Sequence, residues 1–257
     1  DTLSSNHAWV EAFVDGRWVV MDPTWDSKNT LINGKKEAFK TDFYRFFDVS
    51  VEMLSVGHKV IRRPNVFGNN GVSSWALEEC QKAWKSGLVT QSVRYTMTDA
   101  ISREEFCELL MNMLSKKLGL SVMDILTVKN AMIDTSVFDD TSSEYVFAAN
   151  ALGIVNGKGG KTFDPKGTIK RQEAAAMLQR AAVNVLGVES ANSTAAEFSD
   201  SDTFDDWGRD AIAFVSASVD NNGRKVMGGK EAGRFAPHDL YTKEQSVLTV
   251  LRLFNAY

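Results

Sequence analysis

The sequence predicts a multidomain chain: a truncated α+β fragment built on a β-hairpin, then a mainly α region made of three similar units. Three observations predict this. Two apolar, β-branched and aromatic runs, His7 to Val14 and Arg17 to Met21, flank Asp15-Gly16. Pro64 to Ser74 is rich in Gly and Asn and poor in large apolar residues, as linkers are. Beyond it one string recurs: ISREEFCELLMNML from Ile101, IKRQEAAAMLQRAA from Ile169 and YTKEQSVLTVLRLF from Tyr241.

Asp-Gly is a turn pair that two-residue hairpins favour. It sets Val14 opposite Arg17, Phe13 opposite Trp18, Glu11 opposite Val20 and Trp9 opposite Asp22. Side chains alternate faces along a strand, so His7 shares a face with Trp9 and Asp22. An Asp22 carboxylate one diagonal step away could fix the imidazole tautomer and leave its other nitrogen free as a base. The alternative is a plain sheet histidine beside a strand-end Asp that opens the turn at Pro23.

The whole string NHAWVEAFVDGRWVVMDPTWD resembles the transglutaminase-like superfamily. The resemblance extends through Phe43 to Lys59 and places a C-terminal fragment of such a domain at residues 1–68. It implies a Cys-His-Asp set with His7 as general base and Asp22 as the orienting acid. The nucleophilic Cys would lie upstream of Asp1, so this chain is expected to be inactive. The longer parent would be a cysteine peptidase or amide transferase acting on cell-wall peptides or surface proteins. Cys80 and Cys107 sit in helical patterns and read as small buried hydrophobes.

Composition narrows the classes. A chain of 257 residues has room for several domains, and a net charge of −4 with no basic run argues against a general nucleic-acid face. No apolar stretch reaches the ~18–20 residues that cross a bilayer. Two cysteines make no disulfide framework, and three scattered histidines give no metal-ligand spacing. No cofactor motif is present, since Gly157 to Gly160 precedes no suitable helix.

Each recurrent string follows another helical segment: Trp75 to Ser86, Ser142 to Leu152 and Asp205 to Ser218. Arg103, Arg171 and Lys243 are spaced by 68 and 72 positions, a period that signals an array of similar units. Ser102 with Glu105, and Thr242 with Gln245, have the form of capping boxes. A cation beside a helix N-terminus is unfavourable for the helix itself. It makes sense where free N–H groups and the cation hold an anion together. The alternative is a solvated surface side chain.

These strings resemble the opening of the second helix in S-layer homology repeats. Phe138-Asp-Asp, Phe198-Ser-Asp, Phe163-Asp-Pro and Phe235-Ala-Pro match the other marks of that family. The resemblance implies repeats at 75–118, 136–187 and 196–257, packed as a pseudo-threefold helical prism. It implies binding of an acidic, often pyruvylated, secondary cell-wall polysaccharide in grooves between repeats. The localisation would be extracellular, at a bacterial cell wall, with a signal peptide upstream. The residues carried over are Arg103 and Glu105, Arg171 and Glu173, Lys243 and Gln245, Trp75 and Trp207, and Gly153, Asn156 and Gly157 in the loop of repeat two.

Departures are visible. Repeat one lacks the Phe-x-Asp opening and the Phe-Pro turn. Repeat two has Lys170 where a capping hydroxyl belongs and a first helix about one turn short. Repeat three has Val219 for the helix-ending Gly and Lys243 for Arg, a point charge that cannot grip a carboxylate in a fork. The sites of repeats one and two are therefore expected to outrank that of repeat three. Trp75, Trp84 and Trp207 either stack on sugars or fill the core, and helix-start aromatics more often do the latter.

Overall fold

The computed structural model describes residues 72–189 and 197–257 with side chains, and the backbone of four strands before them. The chain divides into two compact units, Asp1–Gly71 and Val72–Tyr257.

In the first unit, β1 (Val10–Val14) pairs antiparallel with β2 (Arg17–Met21), with Val14 opposite Arg17, Phe13 opposite Trp18 and Glu11 opposite Val20. That is the register expected from the Asp15-Gly16 turn. His7, Trp9 and Asp22 lie outside the described residues. A second hairpin, β3 (Asn29–Ile32) with β4 (Lys35–Ala38), was not anticipated.

The second unit is helical. Its elements are α1 (Leu77–Lys85), α2 (Arg103–Leu118), α3 (Val122–Val128), α4 (Glu144–Ala151), α5 (Arg171–Arg180), α6 (Arg209–Ala217) and α7 (Lys243–Ala256). The recurrent strings form α2, α5 and α7. A π-helical turn, Ala181–Leu186, extends α5 and ends at Gly187 in the left-handed conformation. Helix α3, capped by Ser121 and Asp124, occupies a stretch the sequence reading left unassigned. Helix α4 is one residue shorter than α1 and α6, not a full turn.

The packing follows one rule. Each long helix lies against the short helix of the next segment: α2 against α4, α5 against α6, and α7 back against α1. At the centre, three residues that open the recurrent strings exchange backbone hydrogen bonds in a closed ring. Ile101 N–H donates to Tyr241 O (2.8 Å), Tyr241 N–H to Ile169 O (3.0 Å), and Ile169 N–H to Ile101 O (3.3 Å). All three side chains are fully buried. Apolar residues at helical spacing, such as Phe106, Leu109, Leu110, Met113 and Leu114 on α2, complete a single core. Tyr241 meets Phe106 edge-to-face at 6.0 Å.

The Phe-x-Asp and Phe-x-Pro motifs work as a pair. Asp140 accepts the N–H groups of Phe163 (2.8 Å) and Asp164 (2.7 Å), and Asp200 accepts those of Phe235 and Ala236 (both 2.8 Å). These bonds hold Asp164 (φ 61°) and Ala236 (φ 58°) in the left-handed region. Thr96, after the buried Tyr95, has φ 49°. Tyr95-Thr96-Met97 thus builds the turn that repeat one was expected to lack. Val72 packs on the core and Ser73 bonds Glu244, so the end of the expected linker belongs to the folded unit.

Candidate functional site

At each of the three helix openings, the first two residues reach partners in another segment. At the first helical position, the cation reaches into the loop of the next segment. Arg103 donates from Nε to Phe163 O (2.8 Å) and from Nη2 to Asn156 O (3.1 Å), with its guanidinium 4.7 Å from the Phe163 ring centre. Arg171 donates from Nε to Phe235 O (2.8 Å) and from Nη2 to Gly228 O (2.9 Å), 4.8 Å from the Phe235 ring. Lys243 Nζ donates to Ser92 O (3.4 Å) and to Glu105 Oε1 (2.8 Å). None of the three is a solvated surface cation: Arg103 is 7% exposed, Arg171 6% and Lys243 9%.

At the second position a Glu or Gln ties the start of the next short helix. Glu104 accepts from Thr141 Oγ1 (3.3 Å), Gln172 Nε2 donates to Asp205 Oδ2 (2.7 Å), and Glu244 accepts from Ser73 N–H (2.8 Å) and Oγ (2.9 Å). The sequence reading missed this tether, although the acid or amide beside each cation was in view.

At the third position, Glu105 and Glu173 cap their own helices and lie against Lys243 and Arg103. Glu105 completes the capping box with Ser102, and Glu173 accepts Lys170 N–H (2.7 Å) without any capping hydroxyl. Glu173 Oε1 lies 3.6 Å from Arg103 Nη1. Gln245, at the third position of α7, brings no charge and lines the same cavity as Arg171. Its side-chain Oε1 is buried and has no hydrogen-bond partner among the described residues.

The expectation that free backbone N–H groups bind an anion is corrected. Arg103 and Glu104 N–H donate to Gly167 and Pro165 carbonyls, Arg171 and Gln172 N–H to Asp239 and Pro237, and Lys243 and Glu244 N–H to Asp99 and Met97. The helix ends are closed by protein carbonyls, so these N–H groups are already used.

A cavity of about 830 Å³ opens beside Arg171, and Trp75, Lys230, Tyr241, Gln245 and Arg252 line it with Gly228 and Gly229. Its wall carries four cations, Arg171, Lys230, Arg234 and Arg252, against two carboxylates, Glu231 and Asp239. Three cations are matched: Lys230 with Asp239 (2.6 Å), Arg234 with Asp200 (3.7 Å), and Arg252 with Glu79 through two bonds of 2.8 and 2.7 Å. Arg171 has no carboxylate within 4 Å among the described residues. Burial pulls its guanidinium below the ordinary value, against the nearby Tyr241 and Asp239. The hydrogen bond from Lys230 holds the Asp239 carboxyl below the usual range. Tyr241, hydrogen-bonded to Thr249 Oγ1 (2.6 Å), is pushed by burial to about 12 and stays neutral.

The structure thus gathers Arg171, Gln245 and Trp75 on one cavity, joins Arg103 to Glu173 and to the backbone of Asn156, and joins Lys243 to Glu105. Trp75 (59% exposed) and Trp207 (52%) do not fill the core as expected. Both stand at the mouth of a short helix whose opening is fixed by polar tethers, which leaves their rings in solvent. Trp84 is half-buried, with the Arg94 guanidinium 5.2 Å from its ring. The glycines serve the backbone. Gly153 ends α4 at φ 67°, where Asn184 Nδ2 bonds its carbonyl. A Cβ on Gly157 would meet Phe138 Cε1 at 2.6 Å and Thr162 O at 2.7 Å. Lys230, Asp239 and Arg252 were missed, because a loop residue and a late helix position carry no period linking them to Arg171.

Cys80 and Cys107 are buried, and desolvation pushes both thiols up to about 12. Among the described residues no helix is long and apolar enough to cross a membrane, and no cluster of three His, Cys, Asp or Glu could hold a metal ion.

Residues 138–175 match the S-layer homology domain family. The matched stretch runs from Phe138 to Ala175 and includes Asp140, Phe163, Arg171 and Glu173. It associates this part of the chain with the cell surface and with anchoring to cell-wall polymers. No curated protein matches the chain.

Proposed function

We propose that residues 75–118, 136–187 and 196–257 are three S-layer homology repeats forming a pseudo-threefold prism, and that the prism anchors the protein to an acidic secondary cell-wall polysaccharide outside a bacterium. The family match, residues 138–175, lies within the middle unit. The closed backbone ring and the equivalent partners of the three cations support its extension to the flanking units. The observation that carries the ligand reading is Arg171: a buried cation, unmatched by any carboxylate, on the wall of a cavity with an exposed tryptophan at its edge. Leaving such a charge without a counter-ion is costly. A carboxylate on a polymer, such as a pyruvate ketal, would supply one, and Trp75 offers a face to the sugar ring.

Calorimetry with wall polysaccharide extracted from sacculi tests this. Native polymer is expected to bind, more weakly as salt rises. Polymer whose carboxyls have been reduced to alcohols is expected not to bind. Equal binding of both would remove the charge argument.

A second reading concerns the front of the chain. The string NHAWVEAFVDGRWVVMDPTWD supports a transglutaminase-like segment in which His7 and Asp22 would serve a Cys-dependent enzyme acting on wall peptides or surface proteins. The β1–β2 register supports the hairpin part of that reading. Thiol-dependent peptidase activity from residues 1–257 alone would contradict the view that this chain lacks the nucleophile.

A further inference from the structure

Asparagine followed by glycine is prone to deamidation, because no Cβ on the glycine hinders closure of a succinimide ring. Such pairs stand at Asn33, Asn70, Asn156 and Asn222, and the last two lie among the described residues. The rate depends on how readily the glycine N–H gives up its proton and how freely the amide side chain can turn to meet that nitrogen. At Asn222-Gly223 both groups are engaged. Gly223 N–H donates to Asp220 O (2.9 Å), and Asn222 Nδ2 donates to Asn221 Oδ1 (3.0 Å). Asn156 and Gly157 are exposed, and neither the Asn156 side-chain amide nor the Gly157 N–H has a hydrogen-bond partner among the described residues. The oxygen of that same peptide accepts from Arg103 Nη2 at 3.1 Å. Arg103 is 7% exposed, so solvent screens its charge little.

We propose that Asn156-Gly157 is a site of spontaneous modification, where the hydrogen bond from Arg103 promotes conversion of Asn156 to isoaspartate. When hydroxide removes the Gly157 N–H proton, the charge spreads onto the Asn156 carbonyl oxygen, and the guanidinium stands where that charge develops. The nitrogen attacks Asn156 Cγ. The Cγ–Nδ2 bond breaks, and Nδ2 leaves as ammonia with a proton from water. Water then opens the ring. Arg103 polarises the former main-chain carbonyl, so water adds there, its bond to the Gly157 nitrogen breaks, and the nitrogen recovers its proton. The main chain now runs through Cγ, and the freed carboxylate is the group that Arg103 already holds. A hydrogen bond to a carbonyl becomes one to a carboxylate. The opening where Arg103 and Glu173 lie 3.6 Å apart gains a negative charge. No step depends on what the prism binds.

Incubation of the full chain at mildly alkaline pH tests this, followed by peptide mapping with electron-transfer fragmentation, which tells isoaspartate from aspartate at each position. The reference is the same chain unfolded in guanidinium chloride. Asn156 is expected to convert about tenfold faster in the folded chain, the effect of ~1.4 kcal/mol of stabilisation of the reacting peptide. Asn222 is expected to convert more slowly folded than unfolded, and isoaspartate is expected as the main product at position 156. Arg103→Met should bring Asn156 down to its unfolded rate. Should that variant fail to fold, the comparison of folded with unfolded chain decides alone. No conversion at Asn156, a folded rate no higher than the unfolded one, aspartate as the main product, or an unchanged rate in a folded Arg103→Met would each overturn the inference.

Discussion

Lys243 Nζ lies 2.8 Å from Glu105 Oε1, across 138 positions of sequence. Their side chains are only 11% and 23% exposed, and the contact ties the start of α7 to the start of α2. With the Arg103–Glu173 contact at 3.6 Å it links the starts of α7, α2 and α5 in series. The pair is more than a rim ion pair, because Glu105 also accepts the Ser102 N–H at 2.8 Å.

Glu105→Gln keeps the shape and the capping function, since Gln serves in capping boxes as Glu does. It removes the charge opposite Lys243. The loss expected is about 1–3 kcal/mol, the range for hydrogen bonds to charged groups. Urea unfolding at neutral pH measures it, and a midpoint equal to that of the unmodified protein would show that the pair contributes nothing.

Gly157 is held by close approach. A Cβ there would sit 2.6 Å from Phe138 Cε1 and 2.7 Å from the backbone oxygen of Thr162. The ring could turn aside, but the carbonyl cannot without disturbing the loop that accepts Arg103. Gly157→Ala is expected to destabilise by about 1–3 kcal/mol, as overpacking does. Thermal unfolding should show a lower melting temperature, and an unchanged one would mean that the loop yields freely.

The N–H groups of Phe163, first, and of Asp164 hold the Asp140 carboxyl below its usual range, against a smaller opposing effect of burial. A group whose folded value is lowered stabilises the fold above the unfolded value, and that contribution is lost as pH falls through the lowered one. Asp140→Asn should therefore cost stability at pH 7. The gap between the two proteins should narrow as pH drops below about 4. Urea midpoints across pH 2–7 check this, and a gap that widens toward acid would reverse the sign.

Both cysteines are fully or nearly buried in helices of the core, with thiols raised to about 12. A chromogenic disulfide reagent is expected to find none of the 2 thiols in the native chain and both in urea. Rapid reaction of either in the native protein would reopen the question of a resident nucleophile.

The helical unit was legible because its signals are local and recurrent. The strings at Ile101, Ile169 and Tyr241 announced α2, α5 and α7, and the Asp15-Gly16 turn announced the β1–β2 register. The roles inside the strings were not legible. A cation beside a helix start looked like half of an anion site, and nothing local says that Pro165, Gly167 and their counterparts send carbonyls to those N–H groups. Tyr95-Thr96-Met97 was passed over because its residues share only shape with Phe163-Asp164-Pro165, and shape is what the left-handed turn demands. Gln245 read as a weak copy of Glu. Sequence spacing does not contain the cavity that it lines beside Arg171.

The central claim is that the chain is held at the wall by charge on a polymer. Sedimentation of the full chain with purified sacculi, before and after chemical removal of the acidic polysaccharide, tests it most directly. The account predicts that the protein pellets with intact sacculi and stays in solution with stripped ones. Equal pelleting with stripped sacculi would contradict it.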